Sequence, residues 1–136
     1  MLSHFDCCSL VWDNCCEYLI DKLQKLQNRA ARIITGRTYD VSSDDVLKEL
    51  NWEPLKQRYN SNKTIFMLKV RNGTLPSSLT SMFKTNDRYD LRSNNNNCKL
   101  GKPKTSFMQK SFTYSAALLW NGLSGIAKEK GISLNK

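Results

Sequence analysis

The chain reads as mainly α: a small helical domain of about four helices carrying one long basic loop. Three observations predict this. Residues 14–35 hold a narrow apolar seam at helical spacing. Residues 54–71 open on a proline and hold a wide apolar face. Residues 111–123 return to helical spacing after a polar stretch. A length of 136 residues is enough for one modest core, and 40% apolar with 24% charged content is ordinary for a globular chain.

The first helix is predicted over 14–35. Leu19, Leu23, Leu26, Ala30 and Ile33 recur at spacings of three and four, which places them on one face. Asp13 or Asn14 can cap its start, and Gly36 can end it in the left-handed conformation. Acidic residues come early and basic ones late, which suits the helix dipole. The other face, with Lys22, Lys25, Arg29 and Arg32, is basic. The seam spans about two heptads, short for an isolated coiled coil, so it is expected to pack within its own domain or on a neighbouring one.

A short acidic helix is predicted over 44–50, opened by Ser42 with Asp45 three residues on, and turning Leu47 and Leu50 inward. Pro54 suits the first position of the next helix, where its missing N–H costs nothing. That helix should run to about residue 71, burying Leu55, Tyr59, Phe66 and Val70 and stopping at Asn72-Gly73. Leu79, Met82 and Phe83 suggest one more turn after Pro76. Residues 84–110, with the run Asn94 to Asn97, Gly101 and Pro103, read as a basic flexible loop. The last helix, over 111–123, places Phe112, Ala116, Leu119 or Trp120, and Leu123 on one face, with Ser111 as its cap. This divides the chain into a helical region 1–83, a loop 84–110, and a C-terminal helix with its tail over 111–136.

The formal net charge is +9 with a pI near 9.5, and the excess is a mid-chain feature. Residues 1–36 balance four basic against four acidic side chains, and residues 37–53 are net acidic. Residues 54–83 carry five basic and no acidic residues, and 84–110 carry seven basic and two acidic. A clustered basic surface attracts polyanions over about 8 Å at physiological salt, and nucleic acid is the commonest such partner. The alternative is a solvated basic face with no partner. In the loop, Lys84, Arg88, Arg92, Lys99, Lys102, Lys104 and Lys110 interleave with Tyr89 and Phe107. Cations neutralise phosphates and aromatic rings stack on bases. The same two rings could instead pin the loop to the core.

Several chemistries find no support. Asp44-Asp45 could hold Mg²⁺ for phosphoryl transfer, but here the pair opens a helix, where acidic residues need no catalytic explanation. His4, Cys7, Cys8, Cys15 and Cys16 lack the spacing of a zinc knuckle or finger, so small buried thiols are expected and no metal. One histidine and no nucleophile–base arrangement leave no basis for nucleophilic catalysis, and no Gly-rich phosphate loop is present. No cofactor is implied. Five cysteines, four of them in adjacent pairs and none behind a secretory signal, fit a reducing intracellular compartment. No stretch approaches the roughly 18 apolar residues of a membrane span. Trp12 lies near the chain start with little sequence to cover it, which suggests a partner surface there.

The motif strings carry a resemblance. They begin with His4-Phe5-Asp6, Cys8-Ser9-x-Val11-Trp12 and the unbroken run Leu23 to Gly36. Leu50-x-Trp52-x-Pro54-Leu55-x-x-Arg58, Lys69-x-x-Asn72-Gly73-x-x-Pro76, Tyr89-x-Leu91-Arg92 and Pro103-Lys104-Thr105 follow. Ser111-Phe112-x-Tyr114-x-Ala116-x-x-Leu119-Trp120-Asn121-x-Leu123 closes the series. Together they resemble the region that follows the palm in non-LTR (LINE-type, jockey-like) retrotransposon reverse transcriptases. The resemblance covers nearly the whole chain and rests on the order and spacing of individually loose motifs.

It implies a parent with an apurinic-type endonuclease and an RNA-directed DNA polymerase, whose catalytic Asp-Asp box would lie upstream of Met1. No catalytic residue carries over. Helix 14–35 would correspond to the thumb or its extension, which grips the template–primer duplex. The expected function is therefore a non-catalytic C-terminal fragment that binds RNA or DNA electrostatically. The expected phosphate contacts are Arg29, Arg32, Lys56, Arg58, Lys63, Lys69, Arg71, Arg88, Arg92, Lys102 and Lys104. Two alternatives stand beside it. In one, the seam Leu19, Leu23, Leu26, Ala30 docks on the missing polymerase body or self-associates. In the other, the chain is an inert relic of a degenerate genomic copy.

Overall fold

The computed structural model describes residues 2–84, 97–124 and 128. Among them the chain is mainly helical, with eight helices and no strand. These are α1 (Leu2–Asp6), α2 (Ser9–Trp12), α3 (Glu17–Thr35), α4 (Ser43–Glu49), α5 (Leu55–Arg71), α6 (Ser77–Thr80), α7 (Ser106–Lys110) and α8 (Phe112–Gly122). Four of them, α3, α4, α5 and α8, have seven or more residues. The chain forms two compact units, Met1–Ser61 and Asn62–Lys136, and the division falls inside α5.

In the first unit α3 begins later than the cap at Asp13 or Asn14 would place it. Cys16 is extended at φ −63°, ψ 145°, and the Cys15 amide donates to Trp12 O, so a turn fills the gap. The predicted stop holds: Gly36 sits at φ +65° and its amide donates to Arg32 O. Helix α4 opens on Ser42, whose hydroxyl accepts from the Asp44 amide at 3.3 Å. It ends on Asn51 at φ +57°, where the Trp52 amide reaches back to Leu47 O at 2.8 Å. Ala31, Val46 and Leu47 are buried together, with Val41, Leu50 and Trp52 packed around them.

The inward face of α3 is not its leucine seam. Gln27 is fully buried, and Gln24 lies beside it. Gln27 Nε2 donates to Glu53 O at 3.0 Å, and Gln24 Oε1 accepts from the Leu55 amide at 2.8 Å. Gln24 Nε2 in turn donates to Gln27 Oε1 at 2.9 Å. The amide of a first-turn residue has no partner within its own helix, so Gln24 satisfies a donor that would otherwise be stranded. Two glutamines thus fix where α5 starts. Pro54 stands one place before that helix, and its carbonyl takes the Arg58 amide.

Trp12 is half-buried. Its ring meets Tyr59 edge to face at 5.3 Å between centroids, and Nε1–H donates to Cys7 O at 2.7 Å. Asp6 takes a two-pronged ion pair from Arg58. The short N-terminal helices are therefore tied to the start of α5. The thiols need a correction: Cys7, Cys8 and Cys16 are exposed and Cys15 half-buried, and only Cys98 is buried. The apolar positions of α1 and α2 are too few to enclose them.

Tyr59 is buried, and its hydroxyl finds no hydrogen-bond partner among the described residues. Burial pushes its phenol up to about 12, with the charges of Asp6, Cys15 and Asp13 adding to the rise. In the unfolded chain the phenol loses its proton near pH 10. Between pH 10 and about 12 the unfolded state therefore binds fewer protons than the folded state, and stability falls as pH rises. Urea unfolding across that range checks this. Tyr59→Phe is expected to flatten the alkaline loss and to leave stability at pH 7 equal or higher, since it removes a buried unpaired hydroxyl.

The second unit is organised on the latter part of α5. That helix stops at Gly73, at φ +68°, with the Thr74 amide on Lys69 O and the Gly73 amide on Val70 O. Met67, Val70, Phe83, Cys98, Ala116, Ala117 and Trp120 form its core. Phe66, Phe83 and Phe112 meet pairwise edge to face at 5.1–6.2 Å. The turn after Pro76 is present as α6. The stretch read as loop is partly structured. Thr105 caps α7 by accepting the Met108 amide at 3.2 Å, and Cys98 is held against α8. The Asn94–Asn97 run lies outside the described residues except for Asn97.

Candidate nucleic-acid interface

The residues expected to meet phosphate separate into three groups. In the first unit, Arg29 is exposed. Arg32 is turned inward: it donates to Val41 O and Ser43 Oγ at 3.0 Å each and lies 5.1 Å from the Tyr39 ring centre. Lys56 pairs with Glu17 at 3.1 Å on the surface, and Arg58 is engaged by Asp6. That carboxylate is the first cause of the raised pKa of the Arg58 guanidinium. Arg32 and Arg58 are thus spent on internal partners.

In the second unit Lys63 is buried, with Nζ 3.3 Å from Ser115 Oγ, which places it inside the unit and not on a surface that meets phosphate. Its helical neighbours explain this: Lys63 falls between Tyr59 and Met67, on the buried line of α5. Lys69 is exposed. Arg71 is half-buried; burial pushes the Cys98 thiol up, and the charges of Arg71 and Lys128 oppose that rise. Arg88 and Arg92, with Tyr89, lie outside the described residues.

The third group is Lys102 and Lys104, and of these Lys102 lines a cleft. Asn121 of α8 grips Cys98 from both sides: Oδ1 accepts the Cys98 amide at 2.8 Å, and Nδ2 donates to Cys98 O at 2.9 Å. The side-chain amide imitates a neighbouring strand. The Lys99 amide donates to Lys84 O at 2.8 Å. Pinned this way, residues 98–103 form one wall of a cleft of about 180 Å³. Lys99 and Lys102 line the cleft together with Phe83, Met108, Tyr114 and Ala117. Lys104 and Lys110 are exposed nearby in sequence, flanking Phe107, whose ring is 84% exposed.

A cleft this small is below the roughly 300–1,000 Å³ of a drug-sized pocket. Its lining combines apolar, aromatic and cationic residues. Among the described residues no group of three or more His, Cys, Asp or Glu side chains could hold a metal ion, and Asp44 and Asp45 lie exposed at the start of α4. No helix among them is long and apolar enough to cross a membrane.

Of the expected contacts, the cleft brings in Lys102, with Lys104 beside it in sequence. Lys99 and Tyr114 are additions; Lys99 was visible as part of the basic stretch, and Tyr114 as part of the last helical motif. Asn121 gave no signal of its role, because nothing in its local pattern shows a partner 23 residues away. The seam residues are also placed: Leu19 and Leu26 are exposed, and Leu23 and Ala30 half-buried. Comparison with protein-family models, with curated proteins and with solved structures gives no match.

Proposed function

We propose that the chain is a non-catalytic nucleic-acid-binding module of the reverse-transcriptase post-palm type, and that its second unit binds single-stranded RNA or DNA. The observation that carries this reading is one cleft lined by Lys99 and Lys102 as well as by Tyr114 and Met108. Lysines neutralise phosphates, and an aromatic and thioether lining accepts the face of a base. A duplex keeps its bases stacked and cannot offer one to a cleft of about 180 Å³, so single strands are preferred. The exposed Phe107 ring, between Lys104 and Lys110 in sequence, extends the same chemistry. The motif order described above supports the family origin, and the +9 net charge agrees with a polyanionic partner.

The test is a pair of charge reversals. Lys99→Glu with Lys102→Glu is expected to weaken binding of a labelled single-stranded RNA at least tenfold. Lys22→Glu with Arg29→Glu, the same change of charge in the first unit, is expected to change it by less than threefold. Equal losses from both pairs would show that only net charge matters and that the cleft is not the site.

A further inference from the structure

Helix α3 presents an anomaly. It spends its inward face on Gln24, Gln27 and Ala31, and leaves its leucine stripe outside. Leu19, Leu26 and Ile33 are 45%, 56% and 74% exposed. They stand seven residues apart, and Leu23 and Ala30, half-buried, fill the positions between. A narrow stripe of that period is the seam that one further helix covers. Lys22 and Arg29 follow one flank of it, with Lys25 beyond, and no acidic residue lies among them. Lys22 rests on the Tyr18 ring at 4.4 Å from its centre.

We propose that this stripe docks an amphipathic helix of another protein, one whose apolar seam is flanked by Asp or Glu residues. Charge decides among the occupants. A second copy packed antiparallel would set Lys22 and Arg29 against the same residues of its partner, like charge on like. A second copy packed parallel would set that basic flank against the side of α3 already turned to its own core. A lipid surface is met by a wide apolar face, and this one is a single ridge. Nucleic acid supplies the negative charge but nothing to cover Leu26 and Ile33. An acid-flanked helix satisfies both the apolar stripe and its cationic border.

The experiment uses the full chain and two designed helical peptides. Both carry leucine at the a and d positions of three heptads; one carries glutamate at every e and g position and the other lysine. Isothermal titration is expected to show the glutamate peptide binding at least tenfold tighter than the lysine peptide. Leu26→Asp, at an exposed position that circular dichroism should show to be tolerated, is expected to abolish that binding. Lys22→Glu with Arg29→Glu is expected to reverse the preference. The proposal is overturned if neither peptide binds, or if the two bind alike. It is also overturned if the chain dimerises in sedimentation through this stripe, or if Leu26→Asp acts only on binding to vesicles containing phosphatidylserine. RNA binding by the second unit is scored separately in the same preparations, and its presence or absence leaves this outcome unaffected.

Discussion

Trp120→Ala is expected to lower the stability of the second unit by about 3–5 kcal/mol. The indole is fully buried among Met67, Val70, Phe83, Cys98, Ala116 and Ala117. Removing it opens a cavity that the surrounding side chains fill only in part, so the loss includes both transfer and void. Lys128 adds to the cost. Its ammonium lies 5.9 Å from the ring centre and donates to Asn97 Oδ1 at 2.8 Å, and burial lowers its pKa. A domain with about 5–15 kcal/mol of total stability does not absorb such a loss without a visible shift in its unfolding midpoint. Helix α8 also carries Tyr114, Ala117 and Asn121, so the cleft should fail with the core. Denaturant unfolding followed by circular dichroism measures the effect. Leu118→Ala, at a half-exposed position of the same helix, is the control, expected to cost less than about 1 kcal/mol.

Arg58→Ala is expected to lower the stability of the first unit by about 1.5–3 kcal/mol, the range for hydrogen bonds to a charged group. It is expected to leave RNA affinity within about twofold. The guanidinium grips Asp6 with two nitrogens, and both side chains are mostly covered, 25% and 31% exposed. Truncation strands a partly buried carboxylate, and Arg58→Lys should recover only part of the loss because an ammonium cannot bind both oxygens in one plane. Urea midpoints and RNA titrations on the same preparation separate the two roles. A variant that folds as well as the parent but loses RNA would return Arg58 to the phosphate-binding set.

The fold was legible where local chemistry decides it. Gly36 and Gly73 end helices where their sequence positions say they should, because a left-handed residue without a Cβ has little else to do there. Ser42, Leu47 and the face of the last helix were readable for the same local reasons. The orientation of α3 was not. Its period shows an apolar stripe but not what covers it, and the two glutamines that turn inward do so for the sake of Glu53 O and the Leu55 amide. A sequence read by hydrophobicity assigns glutamine to solvent.

The candidate site shows the same limit. Charge counting groups basic residues by segment, but it cannot tell an exposed lysine from Lys63, which is buried beside Ser115. Nor can it separate Arg32, spent on the loop before α4, from Arg29, which faces outward. Cys98 and Asn121 lie far apart in sequence, and their pairing is what gives residues 98–103 a fixed course. Long-range pairings of this kind leave no periodic trace.

The most direct measurement of the central claim is fluorescence anisotropy of a labelled single-stranded RNA and a matched duplex, titrated with the full chain over a salt series. Lys99 and Lys102 line the cleft, and the exposed Lys104 and Lys110 flank Phe107 in sequence, which makes four lysines at most. Four phosphate contacts on a single strand give a slope of log affinity against log salt of up to about −3. The account predicts a negative slope within that limit, with the single strand bound more tightly than the duplex. Binding that ignores salt, or a chain that folds and binds neither strand form, would contradict it.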